Sequence, residues 1–220
     1  MHPLRVAVVE DQPLYRQMLG LLLSSTTGIR LVAACAGAQD AARSLRASEV
    51  DVALLDLHLP DGDGLGVGRA LRRENPGIGI VILSASDSMH ALLELDADEA
   101  AGWSYLSKSS ALTAHALVRA IQHTAAGRTV LDPAVTRGRA PRPHGPLDAL
   151  SARQFEVLGL AAEGLTNHAI AERLGLSRRS VDAHVNAIYH ALGIQSSTAH
   201  NPRVTAVRSY LAHTARRAHA

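Results

Sequence analysis

Val52-Ala53-Leu54-Leu55-Asp56-Leu57-His58-Leu59-Pro60 opens with four apolar residues and stops at an aspartate. A short run with no polar break fits a strand covered on both faces, as in a parallel sheet. Working outward, Val6-Ala7-Val8-Val9 ends in Glu10-Asp11, and Ile78-Gly79-Ile80-Val81-Ile82-Leu83 ends in Ser84. Leu31-Val32-Ala33-Ala34 is a further run, and a weaker one, Ser104-Tyr105-Leu106, leads to Lys108. Between them lie helix-period segments at about 13–25, 38–47, 63–75, 88–97 and 109–126, the third stopped by Asn75-Pro76-Gly77. Five βα units predict a doubly wound α/β fold around a five-stranded parallel sheet, with ligands bound beyond the carboxyl ends of the strands.

Composition narrows the function classes. The chain has 220 residues, room for one large domain or two ordinary ones, and its hydrophobic fraction of 47% supports a core. A single cysteine, Cys35, excludes an intramolecular disulfide framework and any site built on several cysteines. No apolar run approaches the ~20 residues of a membrane span, and the start, Met1-His2-Pro3-Leu4-Arg5, leads into a strand and not a signal peptide. A soluble, cytoplasmic protein with no membrane partner is expected. Residues 1–125 carry 10 Lys+Arg against 14 Asp+Glu, whereas residues 126–220 carry 12 against 6. A basic back half suggests a polyanionic partner there.

The strand ends would bring three carboxylates (Glu10, Asp11 and Asp56), the Ser84 hydroxyl and the Lys108 ammonium to one edge. A lone Asp after a strand is usually a turn or helix cap; five such ends together are harder to dismiss. Clustered carboxylates repel unless a cation sits among them, and oxygen ligands without His or Cys favour Mg²⁺. A carboxylate beside such an ion can attack a phosphoryl group, giving an aspartyl-phosphate, with Lys108 offsetting charge on the transferred group. Asp61-Gly62-Asp63-Gly64 has the look of a calcium loop, but Leu59 stands where that pattern needs another acid.

Val8-Val9-Glu10-Asp11, Asp56-Leu57-His58-Leu59-Pro60 with Asp63-Gly64, Ser84-Ala85 and Tyr105-Leu106-Ser107-Lys108 together resemble the receiver domain of two-component response regulators, whose fold is flavodoxin-like. The resemblance implies that Asp56 accepts phosphate from a sensor histidine kinase. It implies Mg²⁺ held by Glu10, Asp11, Asp56 and the backbone carbonyl of His58. Ser84 and Lys108 would each meet a phosphoryl oxygen, and Tyr105 would be the switch aromatic. Ser104 departs from the glycine common before that aromatic, Gln12 from the more usual His or Asn. The stretch from Ser84 to Lys108 is also longer than usual and carries Glu94, Asp96, Asp98 and Glu99.

Residues 127–147 gather Pro133, Pro141, Pro143 and Pro146 among Arg137, Arg139 and Arg142, and read as a semi-extended linker without packed elements. It separates a domain over 1–126 from one over 148–220. In the second, every periodic segment is helical. Ser151 can cap a first helix ending at Gly164, a second covers about 167–174, and after Gly175-Leu176-Ser177 a third runs to about Leu192. Val181, Val185, Ile188 and Leu192 share its inner face, leaving Arg178, Arg179, Asp182, Ala183, Asn186 and His190 outward.

Leu150-Ser151-x-Arg153-x-x-Glu156-Val157-Leu158, Gly164-Leu165-Thr166-Asn167, Ile170-Ala171, Ser180-Val181 and His184-Val185 are similar to the LuxR-type helix-turn-helix. With a fourth helix after Asn201-Pro202, the module would be an all-α four-helix domain, and the two domains together resemble the NarL/FixJ response regulators. The resemblance implies a DNA-binding transcriptional regulator, not an enzyme, with Thr166, Asn167, Ser177, Arg178, Arg179, Ser180, Asp182, Ala183 and Asn186 at or near DNA. It also implies a homodimer, often made through the last helix, and no small-molecule cofactor beyond the metal. Where the family often has lysine this chain has Asp182, which either repels phosphate or accepts from a cytosine. Two alternatives are a regulator that binds DNA without phosphorylation and a Mg²⁺-dependent phosphotransferase using Asp56. The intact Asp56–Ser84–Lys108 set counts against the former, and His58 in place of a second acid counts against the latter.

Overall fold

The computed structural model describes residues 2–85, 89–95, 99, 101–136, 139–195 and 201–216. Asp96 and Asp98, two members of the acidic cluster, and Arg137 lie outside the described residues. Contacts divide the chain into two compact units, residues 1–88 with 102–128, and residues 89–101 with 129–220.

The first unit runs β1 (Leu4–Val9), α1 (Pro13–Ser24), β2 (Ile29–Cys35), α2 (Ala38–Ser44), β3 (Val52–Asp56), a hairpin of β4 (His58–Leu59) and β5 (Gly62–Asp63), α3 (Gly64–Glu74), β6 (Gly79–Ser84), β7 (Trp103–Ser107), α4 (Lys108–Ala111) and α5 (Ala114–Ala125). The five long strands are parallel in the order β2-β1-β3-β6-β7, as the apolar runs predict. On one face Val6, Val8, Val52, Leu54, Val81, Leu83 and Leu106 pack with Leu19 and Leu23 of α1 and Leu117, Ala120 and Ile121 of α5. The other face takes α3, whose close approach depends on Gly68: a Cβ there would lie 2.5 Å from the Trp103 ring. Ser104 also has a packing role, since its hydroxyl meets Thr124 Oγ1 at 2.7 Å and so ties β7 to α5.

Two helices differ from expectation. In the 88–97 stretch the described residues form only a 3-10 turn, Met89–Glu94, and this segment packs with the second unit. The 109–126 helix is two helices, because Ser107 caps the short α4 and the backbone turns extended at Thr113 before α5 begins.

The second unit contains α6 (Pro133–Thr136), β8 (Arg139–Pro141), α7 (Ala152–Ala162), α8 (Asn167–Leu174), α9 (Arg178–Ala191), α10 (Pro202–His213) and β9 (Thr214–Arg216), with β8 antiparallel to β9. The expectation of an unpacked segment over 127–147 does not hold for its described residues. Val130, Leu131, Val135 and Leu147 are buried, the Leu131 amide donates to the Ala162 carbonyl at 2.9 Å, and Tyr210 Oη donates to the Thr136 carbonyl at 3.1 Å. Four spaced apolar anchors outweigh the prolines, and Pro133 serves as the first residue of α6, where its missing N–H costs nothing. α10 is the central element: Val204, Ala206, Val207, Tyr210 and Leu211 are buried against α7, α9 and the Met89–Glu94 turn. Arg208 Nη1 donates to the Leu95 carbonyl in the same unit.

Candidate functional site

Register brings the acidic residues of the first unit together. Val9 of β1 pairs with Leu55 of β3, so the next residues, Glu10 and Asp56, leave adjacent strands side by side. Ser84 is the last residue of β6 and pairs with Ser107, placing Lys108 just beyond β7 at the same edge. The backbone makes room through Gly64, where a Cβ would meet the Asp56 carbonyl oxygen at 2.4 Å. Asp61 and Asp63 are spent as helix caps, Asp61 accepting from Ala38 and Gln39 at the start of α2 and Asp63 from Gly66 in α3.

Lys108 Nζ donates to Glu10 Oε1 at 2.7 Å and to Asp56 Oδ2 at 2.9 Å, all three side chains being buried or nearly so. Burial alone would disfavour the ammonium, but these two bonds hold the Lys108 pKa above its ordinary value. Burial pushes the Glu10 carboxyl up, against the pull of Lys108. The other Asp56 oxygen accepts from the His58 amide at 3.2 Å. Ser84 is buried at the end of β6, and Tyr105 is fully buried within β7.

Ligand atoms of Glu10, Asp11 and Asp56 all lie within 4.8 Å of one another. Glu10 Oε2 is buried with no hydrogen-bond partner. A buried carboxylate oxygen without a donor is costly, and a hard cation is the partner an all-oxygen set of this kind would take. The residues therefore fit a divalent ion.

Two further residues shape this edge, both from α1. Tyr15 Oη donates to the Lys108 carbonyl at 2.7 Å while its ring lies 5.1 Å from Lys108 Nζ, a cation–π arrangement. Arg16 Nη1 donates to the carbonyls of Glu10 and Asp11, fixing the backbone that carries the acids. Nothing in local sequence marks them beyond their place one turn after Asp11.

In the second unit each helix start carries its own cap. Ser151, Thr166 and Ser177 accept from the amides of Gln154, Ala169 and Ser180, and Asn201 accepts from that of Arg203. Gly175, in the left-handed region at φ +62°, closes α8 and permits the tight turn into α9. Val181, Val185 and Ile188 are buried, while Thr166, Ser177, Arg178, Arg179, Ala183 and Asn186 are exposed. Asn167, Ser180 and Asp182 are half-buried. The face left outward is thus polar and cationic, as a helix entering a DNA groove requires.

Residues 6–122 match the model of the response regulator receiver domain, and residues 148–200 match that of the bacterial regulatory proteins of the LuxR family. The chain belongs to the response regulators. It is similar to the DNA-binding transcriptional activator DevR/DosR of Mycobacterium tuberculosis, at 32% identity over 88% of this chain and 90% of that protein. It is likewise similar to the nitrate/nitrite response regulator protein NarP of Escherichia coli, at 31% identity over 90% and 92%. Among solved structures, the response regulator ChrA of a heme-sensing two-component system shares 30% identity, with a TM-score of 0.50 over 94% of this chain and 98% of that one. A receiver joined to a LuxR-type helix-turn-helix makes this response regulator a DNA-binding transcriptional regulator under phosphorylation control. Among its described residues no helix is long and apolar enough to cross a membrane.

Proposed function

We propose that Asp56 is the phosphoacceptor and that its phosphorylation by a sensor histidine kinase governs DNA binding through residues 148–220. The convergence of Glu10, Asp11 and Asp56 beneath Lys108 carries this reading. An Asp56 oxygen attacks phosphorus, the bond from phosphorus to the donor histidine nitrogen breaks, and that nitrogen keeps the electron pair and takes up a proton. Glu10, Asp11, Asp56 and the carbonyl of His58 would hold Mg²⁺, which supplies charge neutralisation at the transferred group. Asp56 is hydrogen-bonded to Lys108 through Oδ2; once that carboxylate is an acyl phosphate, Lys108 turns to a phosphoryl oxygen, a charge-assisted bond made only in the modified state. Ser84 donates to another phosphoryl oxygen, and Tyr105 responds as the switch aromatic.

The active form is a homodimer, with α10 the contact helix. The apolar side chains of α10 are packed within the second unit, partly beneath residues 89–95, so dimerisation requires that cover to leave. A bistable arrangement of this kind is what a local charge change can bias.

DNA reading is assigned to the outward face of α9. Arg179→Ala is expected to weaken binding to all duplexes alike and lower the salt slope of log affinity by about one. Asn186→Ala is expected to lose more on an enriched duplex than on a scrambled one. Equilibrium titrations at two salt concentrations check both, and no change in either variant would remove α9 from the interface.

A further inference from the structure

Asp182 stands on the second turn of α9, where a charge among DNA-facing residues would be expected to act on DNA directly. Its carboxylate is otherwise engaged. Asn167, the first residue of α8, donates from Nδ2 to Asp182 Oδ1 at 2.7 Å. The same amide accepts at Oδ1 from Arg203 Nη1, on the first turn of α10, at 3.0 Å. Arg203 Nη2 donates in turn to the carbonyl of Leu165, in the bend between α7 and α8. One anion, one amide and one cation thereby connect the starts of α8 and α10, the second turn of α9 and the end of the α7 segment.

The polarity of this chain is fixed by chemistry. A carboxylate only accepts, a guanidinium only donates, and an amide has one end of each kind. Asn167 satisfies both neighbours in a single orientation. A lysine at 182 would leave the amide between two donors, so Asp182 and Arg203 are matched to each other through Asn167. The second Asp182 oxygen lies 4.0 Å from Arg178 Nε, an exposed pair that holds the arginine weakly and leaves it available to a phosphate.

We propose that Asp182 is a positioning residue for DNA recognition, setting the pose of α9 through Asn167 and Arg203 without contacting a base. The inference rests on the assignment of DNA reading to α9. It also explains why an acid is tolerated on a face that must approach phosphates: one carboxylate oxygen is bonded to Asn167 and the other lies beside the Arg178 guanidinium.

Removing an acid from a DNA-facing helix tightens binding by charge alone, so the informative comparison is between two neutral variants. Asp182→Asn keeps an acceptor for the Asn167 amide, and Asp182→Ala does not. Full-length protein is titrated against a duplex enriched by the wild type from a randomised library, and against its scrambled version. Asp182→Asn is expected to bind the enriched duplex at least as tightly as wild type. Asp182→Ala should bind it about fivefold more weakly than Asp182→Asn, the effect of losing one hydrogen bond between neutral amides. Arg203→Ala should show a similar loss, and the double variant Asp182→Ala/Arg203→Ala no more than the larger single loss, because one chain is broken once.

A swap keeps the test independent of any general loss of folding. Asn167→Asp alone places two carboxylates together and should weaken binding, whereas Asn167→Asp with Asp182→Asn rebuilds the chain with the acid moved and should restore it. Repeating the enrichment with Asp182→Ala should return the same base preferences. Equal affinities for the Asn and Ala variants, failure of the swap to restore binding, or a changed base preference at any position would each overturn the proposal. A wild-type chain that enriches no duplex would instead overturn the assignment of α9 itself.

Discussion

Incubated with acetyl phosphate and Mg²⁺, the wild-type chain is expected to gain a single phosphoryl group, and Asp56→Asn to gain none. Asparagine preserves the shape of the side chain and can still accept from Lys108, so the fold is retained while the nucleophile is lost. None of the described carboxylates at this edge is expected to substitute for it. Glu10 is buried and bonded to Lys108, Asp11 is only half-buried at the edge, and Asp61 and Asp63 are committed to helix starts. Chelating the divalent ion should suppress the gain in the wild type, because three clustered carboxylates would otherwise repel an anionic donor. Intact-protein mass spectrometry reads all three conditions, and an undiminished gain in Asp56→Asn would remove Asp56 from its role.

Lys108→Ala carries the second large expected effect, on stability. The ammonium is the shared cation of two buried carboxylates, and removing one partner of a buried ion pair leaves uncompensated charge. A loss of about 3–5 kcal/mol is expected in the absence of divalent ions. Mg²⁺ should recover part of it, since only the folded chain presents Glu10, Asp11 and Asp56 together. The pH dependence has a definite sign. Burial already holds the folded Glu10 carboxyl above its ordinary value, and without Lys108 it rises further. A carboxyl whose folded pKa exceeds its unfolded one binds more protons when folded, so the variant should gain stability as pH falls through that folded value. Denaturant titrations with Mg²⁺ or chelator, at neutral and mildly acidic pH, check this; a loss identical with and without Mg²⁺ would contradict it.

What the sequence made legible and what it hid divide along a physical line. Buried parallel strands are continuous apolar runs, so the sheet, and with it the shared edge of Glu10, Asp11, Asp56, Ser84 and Lys108, could be read from Val6–Val9, Val52–Leu55 and Ile78–Leu83. The amphipathic period of α9 likewise separated Val181, Val185 and Ile188 from the outward residues. Tyr15 and Arg16 were not legible, because they act on backbone carbonyls brought near them only by folding. The packing of the segment after Gly127 is not legible, because four prolines and several arginines obscure Val130, Leu131, Val135 and Leu147, which are spaced too irregularly to show a period. The role of Asp182 was hidden for the same reason as that of Tyr15: its partners lie 15 residues upstream and, through Asn167, a further 36 downstream of that residue. Outwardness on a helical wheel does not say which neighbour a side chain bonds.

Control of DNA affinity by the state of Asp56 is tested most directly by one titration. Full-length wild type and Asp56→Asn are measured against the same enriched duplex, each with and without acetyl phosphate, in Mg²⁺ throughout. The phosphodonor is expected to tighten wild-type binding by roughly 5–150-fold, the usual range of coupling between two sites, and to leave Asp56→Asn unchanged. Wild-type affinity indifferent to the phosphodonor, or an equal response from Asp56→Asn, would contradict it.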